Sequence, residues 1–327
     1  MAIRLPDPEL QAGFAQALTV WRERLQPALL AAVGQLGVEA VDAEINALVP
    51  PDCRTLMAAH GLRAELVFPA PVVLTHNPRL LGYYRLLMGY SQKLFYTAQT
   101  GATAFAVMET EGMMTERCRD GLNELCTALC CSGAALLRRL DATALTPAFL
   151  HELTILTLGA QLRGGANNRI GKEGVAQVFE VIRSLVAKHI KTEDKHKLEL
   201  RNASKRAVLI EFASDPDIVI QECMSNREMR NIIAIEIKGG RDYSNIHNRV
   251  GEAEKSHQKA KNNKFAECWT IINIDRFDRE ELKRESPTTD RFYSLQAIAS
   301  GKGAEFADFR SRILSLTGIP ARRSSQR

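Results

Sequence analysis

Apolar side chains recur at three- and four-residue spacing through most of the first half of the chain. This spacing places them on one face of an α-helix, so residues 1–160 are predicted to form a mainly helical region. Prolines at positions 50 and 51, and again at 69 and 71, interrupt the pattern. The predicted helices cover residues 21–36 (with a kink at Pro27), 41–48, 80–97 and 117–140.

The pattern changes in the second half, where short runs rich in β-branched residues predict strands. A helix over residues 246–262 is predicted between the last two strands, with an inward stripe of Ile246, Val250, Ala253 and Ala260. Strand, helix and strand in this order imply a right-handed crossover to a parallel neighbour, so residues 161–321 are predicted to form an α/β core. Residues 322–327 lack apolar side chains and are predicted to form a short flexible tail. The predicted strands are residues 207–212, 218–221, 232–238 and 268–274.

A glycine-rich, basic segment opens this half at residues 163–174 and is predicted to lead into a helix over residues 175–187. It is not a phosphate-binding Walker A loop, because Gly171-Lys172 is followed by Glu173 instead of serine or threonine. A charged polar stretch over residues 188–197 is predicted to connect that helix to the strands.

The composition indicates a soluble globular protein, with 45% hydrophobic and 25% charged residues among 327. The net charge of +5 is uneven: residues 1–150 hold 12 Lys/Arg and 14 Asp/Glu, and the remainder hold 31 and 24 of the totals of 43 and 38. A basic second half fits a polyanionic partner, although solvated surfaces also carry such a surplus. Charge alone therefore leaves nucleic acid as one candidate partner.

We expect a cytoplasmic protein without a membrane partner. No apolar run is long enough to span a bilayer, and the first residues carry Asp7 and Glu9 instead of a basic leader. The seven cysteines are odd in number and lack zinc-ligand spacing. The group of Cys126, Cys130 and Cys131 is expected to pack as small apolar groups on a helix face.

Alternation along strand 232–238 separates its side chains by chemistry. Ile233, Ile235 and Ile237 point to one side of the sheet, and Glu236 and Lys238 point to the other. Burying a carboxylate and an ammonium is costly unless something pairs with them. A simpler alternative is that they form an ion pair on an edge strand.

A second carboxylate comes from Ser214-Asp-Pro-Asp217, at the start of strand 218–221. If the two strands lie side by side, Asp217 and Glu236 can converge on one divalent ion, with the Ile237 main-chain carbonyl as a third ligand. Oxygen ligands of this kind suit Mg²⁺. With Lys238 orienting water and offsetting negative charge, the predicted reaction is hydrolysis of a phosphodiester.

Pro216-Asp217 followed by Glu236-Ile-Lys238 resembles the PD-(D/E)xK nuclease motif. The run IEIKGGRDYSNIHNRVGEAEKSHQKAK (residues 235–261) is similar to restriction endonucleases of the XcyI/XmaI type, and so are residues 80–96 and 167–174. The resemblance implies a central mixed sheet flanked by helices, and a homodimer that cuts double-stranded DNA at the palindrome CCCGGG with Mg²⁺. It also implies a cognate DNA methyltransferase as the functional counterpart.

Two further acidic residues are candidates. Enzymes that read a CCGG core carry an acidic residue about fourteen positions after the lysine, where this chain has Glu252. This side chain could assist the first metal, bind a second or simply lie on the exposed helix face. Glu173 could be the acid that such nucleases take from a helix before the sheet, although helix N-termini favour glutamate in any case.

Arg241 is the best candidate base reader, because a guanidinium can donate two hydrogen bonds to guanine and Asp242 can accept one from cytosine. The resemblance also implies an R-(D/E)R motif here, but Tyr243 follows Asp242, so the base contacts need not transfer. The secondary candidates are Asn245 (alternatively a helix N-cap), His247 (alternatively structural) and Arg249. Lys255, Lys259 and Lys261 are expected to contact phosphates or solvent.

Three other functions compete with this interpretation. An HNH nuclease is suggested by His247, His257 and Asn262, but these would lie on one helix without the strand pair of that motif. A DNA-binding protein without activity has no reason to gather two carboxylates near phosphates. A repair or recombination nuclease of the same fold, with little sequence specificity, is disfavoured only by the XcyI-like run.

Overall fold

The computed structural model describes residues 8–21, 24–240, 245–274 and 277–320. Over these residues the chain divides into two compact units, Met1–Ala166 and Asn167–Arg327. No helix in the described ranges is both long enough and apolar enough to cross a membrane.

The first unit is helical, as its sequence pattern predicts. Pro27, Pro51 and Pro71 each stand in the first turn of a helix, where a missing amide hydrogen costs nothing. The helices described in this unit are α1 (Glu9–Trp21), α2 (Gln26–Leu36), α3 (Val38–Leu48), α4 (Pro51–Ala59), α5 (Pro71–His76), α6 (Leu81–Leu87), α7 (Gln92–Phe95), α8 (Ala106–Glu111), α9 (Glu116–Asp120), α10 (Leu122–Leu137) and the first part of α11 (Pro147–Val186).

Two predicted helices are broken by glycines. The helix expected over residues 80–97 ends after α6, because the chain turns at Gly89 with φ of 77°, a conformation that favours glycine. The helix expected over residues 117–140 is split at Gly121, where an added side chain would meet the Phe105 ring at 2.9 Å. On α10, Cys126 and Cys130 are buried as expected, whereas Cys131 is exposed.

The core of this unit contains an ion pair. Arg85 is fully buried and donates to both carboxylate oxygens of Glu109, each at 2.7 Å. Arg85 also donates to Gln161, and Tyr96 donates to Glu109 at 2.6 Å. Because several hydrogen bonds satisfy both charges, the pair can be accommodated in an apolar core.

The second unit is built on one seven-stranded mixed sheet, in which the strands lie in chain order. β1 to β5 are antiparallel, and the last two strands add in parallel. The pairing of the fourth strand with the fifth contains one irregular step, between Ile220 and Gln221. The strands are β1 (Ile190–Glu193), β2 (Lys197–Arg201), β3 (Ala207–Phe212), β4 (Ile218–Cys223), β5 (Met229–Lys238), β6 (Glu267–Ile272) and β7 (Arg291–Ser294).

Helices cover both faces of this sheet, so the predicted α/β class and mixed sheet are confirmed. Ile233, Ile235 and Ile237 of β5 face a large apolar cluster that includes Phe179 of α11 and Phe309. The opposite face packs against α12 through a smaller apolar cluster. The remaining helices are α12 (Ile246–Asn262), α13 (Arg279–Glu285), α14 (Leu295–Ser300) and α15 (Gly303–Thr317).

Two expectations for the start of this half are wrong. Residues 163–174 do not lead into a separate helix over residues 175–187 but lie inside α11, which is continuous from Pro147 to Val186. The polar stretch at residues 188–197 contains β1 and the start of β2, because Leu198 and Leu200 alternate with charged residues and are buried against the sheet's core.

Candidate active site

The hairpin of β4 and β5 brings Asp217 next to the end of β5. Ile218 pairs with Ile235, so Asp217, one residue earlier, lies beside the continuation of β5. Its Oδ2 accepts a hydrogen bond from the Ile237 amide at 2.7 Å. The carboxylate therefore takes the place of a strand partner at this position.

Glu236 and Lys238 point to the face covered by α12, as strand alternation predicts. Lys238 Nζ donates to Glu236 Oε1 at 2.9 Å, and their side chains are only 15% and 11% exposed. Glu236 Oε2 accepts a hydrogen bond from Ser256 of α12 at 2.9 Å. The strand is central, between β4 and β6, which contradicts the alternative of an ion pair on an edge strand.

Glu252 reaches the same site from α12. Its Oε2 lies 3.4 Å from Lys238 Nζ, although the Glu252 side chain is 67% exposed. Burial opposes the charged form of Lys238, but Glu236 and then Glu252 outweigh it and hold the pKa of Lys238 above its ordinary value. Lys238 is therefore a cation held between two carboxylates.

The donor set fits a divalent ion. Burial, and then the charge of Glu236, raise the pKa of Asp217 to about 6. Two desolvated carboxylates that repel each other are relieved by a cation, and their hard oxygens suit Mg²⁺ or Mn²⁺. In a strand, the amide and carbonyl of one residue point to the same edge, so the Ile237 carbonyl also faces the Asp217 side.

A third carboxylate, Asp215, stands two residues before Asp217. Its Oδ2 accepts from Lys259 Nζ of α12 at 2.5 Å. Hydrogen bonds from Lys259 and then Ser256 hold the pKa of Asp215 below its ordinary value. This part of α12 thus fixes the segment that leads into Asp217.

Glu173 lies on α11 near the end of β5. Its side chain is 67% exposed and is 3.7 Å from Arg169, one turn earlier. The following residue, Gly174, packs against Gly239, where an added side chain would meet the Ile170 carbonyl at 2.7 Å. This close approach brings α11 to the strand end that carries Lys238.

The candidate DNA-binding residues are only partly described. Arg241 and Asp242 lie outside the described residues. Asn245 occupies the N-cap position of α12, and His247 is hydrogen-bonded to Glu285 at 2.6 Å. Arg249 donates to the Gly240 carbonyl at 2.6 Å, while Lys255 is exposed and Lys259 pairs with Asp215.

His257, which suggested an HNH nuclease, is fully buried. Its Nδ1 is hydrogen-bonded to Thr289 at 3.0 Å, and burial lowers the pKa of His257 to about 4. A neutral ring enclosed between α12 and the segment before β7 fits a structural role.

Ser256 and Asp215 were not singled out from the sequence. Ser256 lies on the inward face of α12, between Ala253 and Ala260. The helical period could therefore have identified it as a polar residue that faces the sheet. Its target depended on how α12 approaches β5, which periodicity does not give.

A comparison with protein families defines the class as restriction endonuclease. The family model described as XcyI restriction endonuclease matches residues 16–320, and the chain belongs to that family. It is 50% identical over 323 residues to the type II restriction enzyme XcyI of Xanthomonas campestris pv. cyanopsidis, covering 98% of this chain and 97% of that protein. It is 46% identical over 322 residues to the type II restriction enzyme Cfr9I of Citrobacter freundii, covering 98% of each.

The class of the protein is therefore a site-specific endonuclease, as predicted from the sequence. Restriction endonucleases act on double-stranded DNA and generally need a divalent metal. The match spans both compact units, so the helical unit belongs to the family as fully as the sheet does.

Proposed function

We propose that this enzyme is a Mg²⁺-dependent type II restriction endonuclease that hydrolyses both strands of double-stranded DNA at CCCGGG. The observation that carries the chemistry is the convergence of Asp217, Glu236 and Lys238 at one end of the β4–β5 hairpin. The motif and the mixed sheet that carries it support the assignment to a PD-(D/E)xK nuclease core. The recognition sequence rests on the resemblance to XcyI/XmaI-type enzymes.

In this proposal Asp217, Glu236 and the Ile237 carbonyl hold the ion. Bound Mg²⁺ would offset charge on the scissile phosphate and make a nearby water more acidic. Lys238, held by Glu236 and Glu252, donates hydrogen bonds that orient the attacking water and stabilise the charge developing on the phosphate. Glu252 acts on the reaction through Lys238, to which its carboxylate is already bonded.

The segment between β5 and α12 is proposed to read the bases. Its candidate readers, Arg241 and Asp242, come three and four residues after Lys238 in the sequence. Arg249 supports this segment through its hydrogen bond to Gly240. Lys255 is exposed on α12 and is proposed to contact a DNA phosphate. It is a clearer test of a phosphate contact than Lys259, because Lys259 is paired with Asp215.

We further infer a homodimer, because a palindrome is matched by a protein with two-fold symmetry. The helical unit would supply dimer contacts, DNA contacts or both. A cell that contains this activity needs its own CCCGGG sites protected, so a cognate methyltransferase is the expected counterpart. Sedimentation of the enzyme alone and on a CCCGGG duplex tests the dimer.

The catalytic assignment is tested with Asp217→Ala and Glu236→Ala, each of which should abolish cleavage but leave DNA binding largely intact. EDTA should have the same effect on the unmodified enzyme. Glu180→Ala, which removes an exposed acid on α11, serves as the control and should cut normally. Full activity in EDTA would disprove the metal-dependent assignment.

The products separate the competing functions. On a plasmid of known sequence, the proposed enzyme gives discrete fragments that end at CCCGGG. A smear indicates a nuclease with little specificity, and retarded uncut DNA indicates a binding protein without activity.

Base reading is tested with Arg241→Ala and Lys255→Ala. Loss of a bidentate contact to guanine should cost about 1–3 kcal/mol on CCCGGG, whereas loss of a phosphate contact should weaken specific and random DNA alike and lower the salt slope by roughly one unit. The measurement is competition binding in Ca²⁺ with singly substituted duplexes. If Arg241→Ala lost the same affinity for every duplex, Arg241 would contact the DNA backbone instead of a base.

A further inference from the structure

Ser256 lies where α12 crosses the face of the sheet that carries Glu236. The residue is 5% exposed, and its hydroxyl donates to Glu236 Oε2 at 2.9 Å. Lys238 donates to the other oxygen, Oε1, at the same distance. The two donors hold opposite ends of one carboxylate, which removes its freedom to rotate.

The same helix is also bonded to the Asp-Pro-Asp segment. Lys259, one helical turn after Ser256, donates to Asp215 at 2.5 Å. Asp215 is two residues from Asp217. One turn of α12 therefore fixes both segments that carry the proposed metal ligands.

A second serine–glutamate pair, formed by Glu254 of α12 and Ser286 at the end of α13, provides a contrast. Ser286 donates to Glu254 Oε2 at 2.8 Å, and both residues are buried. Glu254 also accepts from Gln258 and from the amide and hydroxyl of Thr288. Glu254 thus accepts four hydrogen bonds from the protein, three of them on Oε2, which is typical of a structural carboxylate.

Glu236 is less saturated. Among the described residues it accepts one hydrogen bond on each oxygen, from Ser256 and Lys238. A carboxylate offers roughly four lone-pair sites, so each oxygen keeps a site for a cation. The protein holds this carboxylate in place without occupying it.

We propose that Ser256 is a positioning residue, whose hydroxyl orients the Glu236 carboxylate for the divalent ion. The inference rests on the proposed function, because it requires Glu236 to be a metal ligand. Ser256 itself does not contact the ion or the DNA. Partners that orient metal ligands typically contribute about 10–100-fold to metal affinity or activity.

The test compares Ser256→Ala with Ser286→Ala in the full chain, using Mn²⁺ as the probe. Both variants lose a buried serine–glutamate hydrogen bond of similar length, and Ser286→Ala also loses a contact with Thr289, so its melting temperature without metal should fall at least as far as that of Ser256→Ala. Ser256→Ala should bind Mn²⁺ about tenfold or more weakly by titration calorimetry, while Ser286→Ala stays within about twofold of the unmodified enzyme. Cleavage by Ser256→Ala should recover at high Mg²⁺ concentration.

Ser256→Cys covers the case in which the alanine variant folds poorly. Cysteine keeps the volume and is a weaker donor, so it should also weaken Mn²⁺ binding. Unchanged Mn²⁺ affinity in a folded Ser256 variant, or equal weakening by Ser286→Ala, would overturn the proposal.

Glu236→Ala separates this inference from the proposed function. If that variant loses Mn²⁺ binding and Ser256→Ala does not, only the role of Ser256 is wrong. If Glu236→Ala binds Mn²⁺ and cuts DNA normally, the metal site itself is wrongly assigned.

Discussion

Replacing Asp217 with asparagine should stabilise the metal-free protein while abolishing cleavage. In the free enzyme, burial and the charge of Glu236 raise the pKa of Asp217 from 3.8 to about 6. At ~1.4 kcal/mol for each pH unit, ionised Asp217 destabilises the folded state by up to about 3 kcal/mol. Asparagine removes this charge, and its oxygen can still accept from the Ile237 amide.

The pH window follows from the direction of this shift. Because the folded pKa is raised, the unfolded chain loses its proton first, and the folded state is penalised as pH rises from about 4 to about 6. Above that range the penalty is constant, and below it the penalty disappears. The advantage of Asp217→Asn should therefore be full at about pH 8 and nearly absent at about pH 4.

The assay is urea unfolding in EDTA, followed by the fluorescence of Trp269. This residue is buried in β6, and a Trp21→Phe background leaves it as the single tryptophan of the chain. Asp141→Asn is the control, because Thr143 lowers the pKa of that exposed carboxylate and asparagine should not stabilise the protein there. Lower stability of Asp217→Asn at pH 8, or an advantage independent of pH, would refute the reasoning.

Three other substitutions, the last with a matched control, test separate parts of the structure. Lys238→Ala should slow single-turnover cleavage by about a hundredfold with DNA affinity in Ca²⁺ unchanged, and comparable rates would leave the lysine a structural role. Arg85→Ala leaves Glu109 buried without its partner and should cost about 3–5 kcal/mol in urea unfolding. Gly239→Ala forces a side chain against the main chain of α11 and should lower the free energy of unfolding by about 1–3 kcal/mol. Its control, Gly251→Ala, adds a methyl group in open space on α12 and should be neutral or stabilising.

The central strands and the arrangement of the candidate site residues follow closely from the sequence. β3 and α12 have the predicted bounds, because each is an apolar pattern that begins directly after a polar residue, Arg206 or Asn245. The placement of Asp217 beside Glu236 needed only two adjacent strands and the rule that side chains alternate. Where local pattern and tertiary structure agree, residue periodicity is sufficient.

The differences arise where long-range contacts decide. The Gly-Gly-Ala-Asn-Asn run has low helix propensity, yet it lies within the continuous helix α11. β1 is polar and is defined by its pairing with β2 rather than by an apolar pattern of its own. The partner of Ser256 depends on the approach of a helix to a sheet, which residue spacing along one element does not encode.

The hairpin of β4 and β5, with its irregular step between Ile220 and Gln221, fits the sheet in only one register. Shifting β5 by one residue against β4 would turn Glu236 and Lys238 toward the apolar face of the sheet. It would turn the isoleucine side chains of β5 toward the polar face. The same slip would take the Ile237 amide away from Asp217. Both proposed metal ligands therefore depend on one register of the hairpin, and a chain paired in a shifted register would lack the cutting centre.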